Sequence, residues 1–132
     1  MSIVKSFNNH LMDFLDDIIL IFPNDLQLRA GRIAIKSIKS LNATLLIRHW
    51  YDSIYLPYKT QIDEGDLTFF VEKDYTKDFD STDDPGYFLK SIDRFRQPVK
   101  NMNENNKEKS FRYIQNLCQL SVLYKESKKL NN

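Results

Sequence analysis

The sequence predicts an all-α fold: a single compact domain over residues 1–132, built from five to six helices and closed by a long C-terminal helix. Three observations carry that expectation. Apolar residues recur at helical spacing along most of the chain, from residues 2–22 to a last run over residues 106–129. Prolines, glycines and cap-type residues fall at the ends of those runs. Thr68-Phe69-Phe70-Val71 alone has strand propensity, and a lone strand has nothing to pair with. With 132 residues and 42% hydrophobic content, the chain can bury roughly two-thirds of its unfolded surface without metal or disulfide staples.

The elements follow in order. Phe7, Leu11, Phe14 or Leu15, Ile18 and Phe22 form the stripe of the first helix, with Asp13, Asp16 and Asp17 between them. Ser2 or Ser6 caps it, and Pro23 stops it because the residue before a proline is pushed out of the helical region. The second helix opens on Asn24 or Asp25 and ends near Leu41. Its expected buried stripe is Leu26, Ala30, Ile33, Ala34, Ile38 and Leu41. Arg29, Arg32, Lys36 and Lys39 follow at spacings of three, four and three, so they share one face. Four such cations make either a solvated outer face or a basic ridge for phosphate or an acidic partner.

Residues 45–75 hold the only Trp and four of the seven Tyr, a density that marks a packing hub. The third helix starts after Asn42 and carries Leu45, Leu46, Ile47, Trp50, Tyr51, Ile54, Tyr55 and Leu56, an apolar set broad enough for burial on more than one side. Pro57 ends or kinks it, residues 58–62 add a further turn or two, and Gly65 stops the run. Residues 66–75 read as a short helix capped by Asp66. Trp50, Tyr51 and Tyr55 beside Arg48 and His49 suit a core hub better than a base-stacking platform, because apolar periodicity surrounds them.

Residues 76–84 read as an exposed acidic loop, with Asp78, Asp80, Asp83 and Asp84 as its candidate interaction residues. Asp84 then caps a helix with Pro85 at its first position. Tyr87, Phe88, Ile92, Phe95 and Val99 form its stripe, with a kink expected before Pro98. An Asn-rich break over residues 101–106 precedes the last helix, whose inner face is Phe111, Ile114, Leu117, Cys118, Ser121, Val122 and Lys125.

Known catalytic patterns fail on context. Asp78-Phe79-Asp80-Ser81-Thr82 has the D-x-D-x-T string of dehalogenase-type phosphatases, but charged residues precede it where that chemistry needs a buried strand. Asp74, Asp78, Asp80, Asp83 and Asp84 could hold a cation only weakly, lacking the central Gly and closing Glu of a calcium loop. Two histidines and one cysteine give no zinc spacing, and Cys118 falls on an apolar face where cysteine acts as a small hydrophobe. No phosphate loop or nucleophile elbow is present. The expectation is therefore no enzyme, no cofactor and no metal.

The net charge of +1 conceals segregation: residues 1–62 carry +2, residues 63–84 carry −7 and residues 85–132 carry +6. Such asymmetry favours docking between opposite patches. The lone Cys118 and the absence of a run of ~20 apolar residues point to an intracellular protein outside the membrane. Residues 7–25, FNNHLMDFLDDIILIFPND, and 49–75, HWYDSIYLPYKTQIDEGDLTFFVEKDY, resemble uncharacterised small helical proteins of large nucleocytoplasmic DNA viruses. The shared pattern is a helix ending in Phe-Pro, an aromatic element and a closing Gly-Asp-x2-Phe-Phe string. The resemblance covers about half the chain and implies a viral source, with the host cytoplasm or virion as its place, and no site residues. The function expected is a non-enzymatic structural or interaction protein, virus-encoded and virion-associated, that docks on other proteins of a larger assembly. The alternative is a nucleic-acid-associated accessory protein using Arg29, Arg32, Lys36 and Lys39.

Overall fold

The computed structural model describes residues 2–72 and 85–130. Among them the architecture is all-α. The helices are α1 (Ile3–Ile21), α2 (Leu26–Leu41), α3 (Leu45–Trp50), α4 (Lys59–Asp63), α5 (Phe69–Glu72), α6 (Pro85–Asp93), α7 (Arg96–Lys100) and α8 (Glu104–Leu130). Because α3 runs on into α4 through a π turn and a 3-10 turn with no intervening loop, and a two-residue break joins α6 to α7, these amount to six helical runs, five of them substantial.

The punctuation works chemically as the sequence suggests. Ser2 Oγ accepts from Lys5 N at 3.2 Å and Asp25 Oδ1 from Gln27 N at 2.9 Å, each filling an orphan donor at a helix start. Asn42 instead turns the chain one step earlier, accepting from both the N–H and the hydroxyl of Thr44, the residue that precedes α3. Gly65 takes a φ of 82°. Its N–H reaches the Ile62 carbonyl at 3.0 Å and the Asp66 N–H reaches Gln61 at 2.8 Å. That pair of bonds is the Schellman closure, which needs a left-handed residue.

The two internal prolines bend rather than end their runs. Pro57 has no N–H and its ring crowds the carbonyl four residues back. The turn before it, Tyr51–Tyr55, widens to π geometry, with Leu56 N–H bonding Tyr51 O, and Leu56–Tyr58 then tightens to a 3-10 turn. Pro98 acts likewise: the break falls at Arg94 and Phe95, just where its ring would meet a helical carbonyl.

One contiguous core takes side chains from every run. Helix α8 is its backbone, lying along α1 and against α3 and α7. Trp50 is fully buried at the centre. It meets Phe7 edge-on at 5.9 Å and Phe88 at 6.4 Å, and its indole N–H donates to Cys118 Sγ at 3.3 Å. The aromatic hub is therefore a packing centre, as the periodicity implied. Residues 69–72 form a single helical turn rather than a strand, with Phe70 packed on Phe14 and Phe69 stacked on Tyr58 at 4.6 Å.

Helix α2 departs from expectation. The stripe Leu26, Ala30, Ile33, Ala34, Ile38 and Leu41 is not the buried one: only Ala34 and Ile38 of that set are inside. The core side is Leu28, Gly31, Ala34, Ile35 and Ile38. Gly31 selects it. A Cβ there would lie 2.7 Å from Phe95 Cε2, so only a glycine face lets α6 and the α6–α7 break approach this closely. The opposite turn of the helix is left outward.

Candidate functional site

Two of the regions singled out in the sequence can be placed, and one cannot. Asp78, Asp80, Asp83 and Asp84 lie outside the described residues. Trp50 is wholly interior, so no stacking platform exists there. Tyr51 and Tyr55 sit 5.5 Å apart at its edge, with Lys125 Nζ 5.3 Å above the Tyr51 ring.

The basic ridge of α2 is real as a geometric row but divided in its commitments. Arg29 Nη2 donates to the Pro23 carbonyl at 3.0 Å, bracing the α1–α2 turn. Arg32 Nε pairs with Asp16 Oδ1 of α1 at 2.5 Å. Lys36 and Lys39 make no ion pair with a described residue, and with Arg32 they border a groove whose other wall is Asn9, Met12 and Asp13. Carboxylates of α1 thus stand beside the cations of α2, and the local field is balanced rather than strongly positive. The Arg32–Asp16 pair across this seam is solvent-accessible on both sides and contributes about 0–1 kcal/mol.

The feature the stripe assignment concealed is the outward face of α2. Leu26, Ile33 and Leu41 are 76%, 65% and 62% exposed. Each forgoes most of the about 1.5–3 kcal/mol that full burial supplies. Between them lie Ala30 and Ser37, so the face reads large, small, large, small, large over residues 26–41. Its hydroxyls are already satisfied: Ser37 Oγ donates to Ile33 O and Ser40 Oγ to Lys36 O, both at 3.0 Å. This back-bonding lets the strip lose water without stranding a donor. Arg29 and Lys36 run along one edge of it. The signal was present in the sequence as a second set of apolar residues, Leu28 and Ile35, competing for the core.

A second concavity, about 590 Å³, lies between α4 and α8 and is lined by Tyr55, Ile62, Asp63, Cys118, Val122 and Leu123. Asp63 there accepts from Lys59 Nζ at 2.9 Å and from Tyr55 Oη at 3.4 Å. Burial, and then the Asp63 carboxylate, raise the Tyr55 phenol above its ordinary value. Burial pushes the Cys118 thiol up to about 12, despite the indole N–H that favours its thiolate. A thiol so held stays protonated at neutral pH and is a poor nucleophile. His10 rests on the Tyr113 ring at 4.8 Å, and burial lowers its basicity against the pull of Asp13. Among the described residues no group of three His, Cys, Asp or Glu side chains could hold a metal ion. No described helix is long and apolar enough to cross a membrane.

Fold and surface together define a class: an all-α protein carrying an outward amphipathic face on its second helix. No protein-family model, curated protein or solved structure matches the chain.

Proposed function

We propose that this protein is a non-enzymatic interaction module that docks on a larger protein assembly through the outward face of α2. The observation that carries the reading is the exposed strip Leu26, Ile33 and Leu41, edged by Arg29 and Lys36 and free of unsatisfied hydroxyls. Three large apolar side chains aligned on one helix face, rather than scattered singly, form a strip of the kind that marks a protein-contact surface. The resemblance of residues 7–25 and 49–75 to small proteins of large DNA viruses supports a virus-encoded, virion-associated component as the setting.

Reading α2 as a phosphate-binding ridge is weaker, because Arg32 is paired with Asp16 and Asp13 stands beside the row. Cross-linking mass spectrometry in the source cells tests the docking reading, since Lys36 and Lys39 are amine handles beside the strip. Cross-links from these lysines to a second protein are expected, and they should vanish in Leu26→Ser/Ile33→Ser/Leu41→Ser while the helical circular dichroism holds. Cross-links that persist unchanged in the folded triple variant would remove the α2 face from the function.

A further inference from the structure

We infer that the occupant of the α2 face is an acidic amphipathic helix of a partner protein, laid along α2 with its carboxylates against Arg29 and Lys36. The inference rests on the docking reading and specifies its chemistry.

Shape comes first. Leu26, Ala30, Ile33, Ser37 and Leu41 recur at spacings of four, three, four and four, which is the seam of a helix that packs lengthwise against another. Large side chains alternating with Ala and Ser give knobs and shallow holes, so a second helix can approach closely. At 16 residues, α2 offers a track about 24 Å long. The serine hydroxyls on that track point no unmet donor at the newcomer, being bonded to their own helix.

Charge then selects among occupants. A second copy of this chain, paired antiparallel through the same strip, would set Arg29 of one copy against Lys36 of the other, twice over. Like charges facing each other along a seam oppose pairing. A helix with Glu or Asp at those flanking positions converts the same geometry into two attractive contacts. Arg29 is already oriented by its bond to the Pro23 carbonyl, so little side-chain freedom remains to be lost on binding. Nucleic acid would use the cations but leave the apolar strip wet. An anionic bilayer could take both, yet the seam of alternating small residues fits a helix and gives no advantage in lipid.

The test uses two fluorescent helix-forming peptides of about 18 residues, long enough to cover α2. Both carry the same Leu/Ala seam, one flanked by Glu and the other by Lys. Fluorescence anisotropy with the full chain should show saturable binding of the Glu peptide, at least about tenfold tighter than the Lys peptide. Ile33→Asp, placed on an outward position and checked by circular dichroism, should weaken the Glu peptide about tenfold or more. Arg29→Glu/Lys36→Glu should reverse the preference in favour of the Lys peptide. No saturable binding of the Glu peptide up to about 1 mM overturns the inference. So does a preference that the charge reversal leaves untouched. Three other occupants are read in parallel, and each displaces the acidic helix if found: a dimer lost in Ile33→Asp by analytical ultracentrifugation, Ile33-dependent pelleting with phosphatidylserine vesicles, or Ile33-dependent retardation of duplex DNA. If strip-dependent cross-links persist in cells while the Glu peptide fails, docking through α2 stands and this inference alone falls.

Discussion

Gly31 sits where α2 and α6 come closest, with the Phe95 ring edge 2.7 Å and the Ser91 carbonyl oxygen 3.2 Å from where a Cβ would be. Phe95 is fully buried, so the ring has no room to swing away. Gly31→Ala should therefore cost stability: overpacking of about 1–3 kcal/mol outweighs the about 1 kcal/mol of helix propensity that alanine regains. A lower urea midpoint with unchanged slope is the expected result. The buried Cys118 and the half-buried Tyr113 tie stability to alkaline pH. Cys118 rises from 9.0 to about 12 through burial. Tyr113 rises from 10.0 to about 12, first because its hydroxyl donates to Asp17 and then through burial. Both are held protonated in the fold, so the unfolded chain gives up these protons first as pH rises. The stability they contribute is whole below pH 9 and drains away toward pH 12, the upper limits of the two shifts. Equilibrium unfolding across that window should show the decline, and Tyr113→Phe should flatten its upper part. At pH 8 the native thiol should resist an aromatic disulfide reagent and react at once in denaturant.

At the scale of the element, α1 and α2 teach opposite lessons. The α1 stripe could be read directly, since Phe7, Leu11, Phe14, Leu15 and Ile18 are all buried, with Phe22 half-buried at the C-cap just past the helix. Ser2, Asp25 and Gly65 were equally legible, because caps and left-handed stops are local chemistry. Helix α2 was not, because Leu26, Ala30, Ile33 and Leu41 make as good a stripe as Leu28, Gly31, Ile35 and Ile38. Periodicity alone cannot rank two such faces. The deciding group is a glycine, whose contribution is the absence of a side chain and so leaves no hydrophobic signal. The consequence is measurable as a contrast one helical face apart. Ile35→Ala, a core truncation, should cost about 2–5 kcal/mol. Ile33→Asp should leave the unfolding free energy within about ±0.5 kcal/mol of wild type, as an exposed substitution does. Equal losses at the two positions would put the outward strip inside. The π turn ahead of Pro57 was half legible: a disturbance was expected at the proline, but whether the helix ends or bends depends on what packs around Ile54 and Tyr55.

For the whole molecule, the charge layout decides how far the cations of α2 can act as a unit. The sequence places four in a row, and a bare row of four phosphate contacts would give a log–log salt dependence of about −3.6 on duplex DNA. The fold changes the arithmetic by bringing α1 alongside. Arg32 is paired to Asp16, Arg29 is bound to a carbonyl, and Asp13 lines the groove that Lys36 and Lys39 share. The basic residues of the C-terminal third sit in α6, α7 and the two ends of α8, with none over residues 113–124. Lys128 and Lys129 meanwhile stand in the last turn of α8, where they oppose the negative end of the helix dipole. Any attraction to nucleic acid that α2 contributes is then limited to Arg29, Lys36 and Lys39. Replacing Arg29, Arg32, Lys36 and Lys39 together by Ala should change the salt slope of DNA retention by no more than about 2.7, the value for three released counterions. Filter binding of wild type and quadruple variant between low and moderate salt measures that difference. A change near 3.6 would mean that Arg32 too leaves Asp16 to meet phosphate, and that the acidic row of α1 does not hold it.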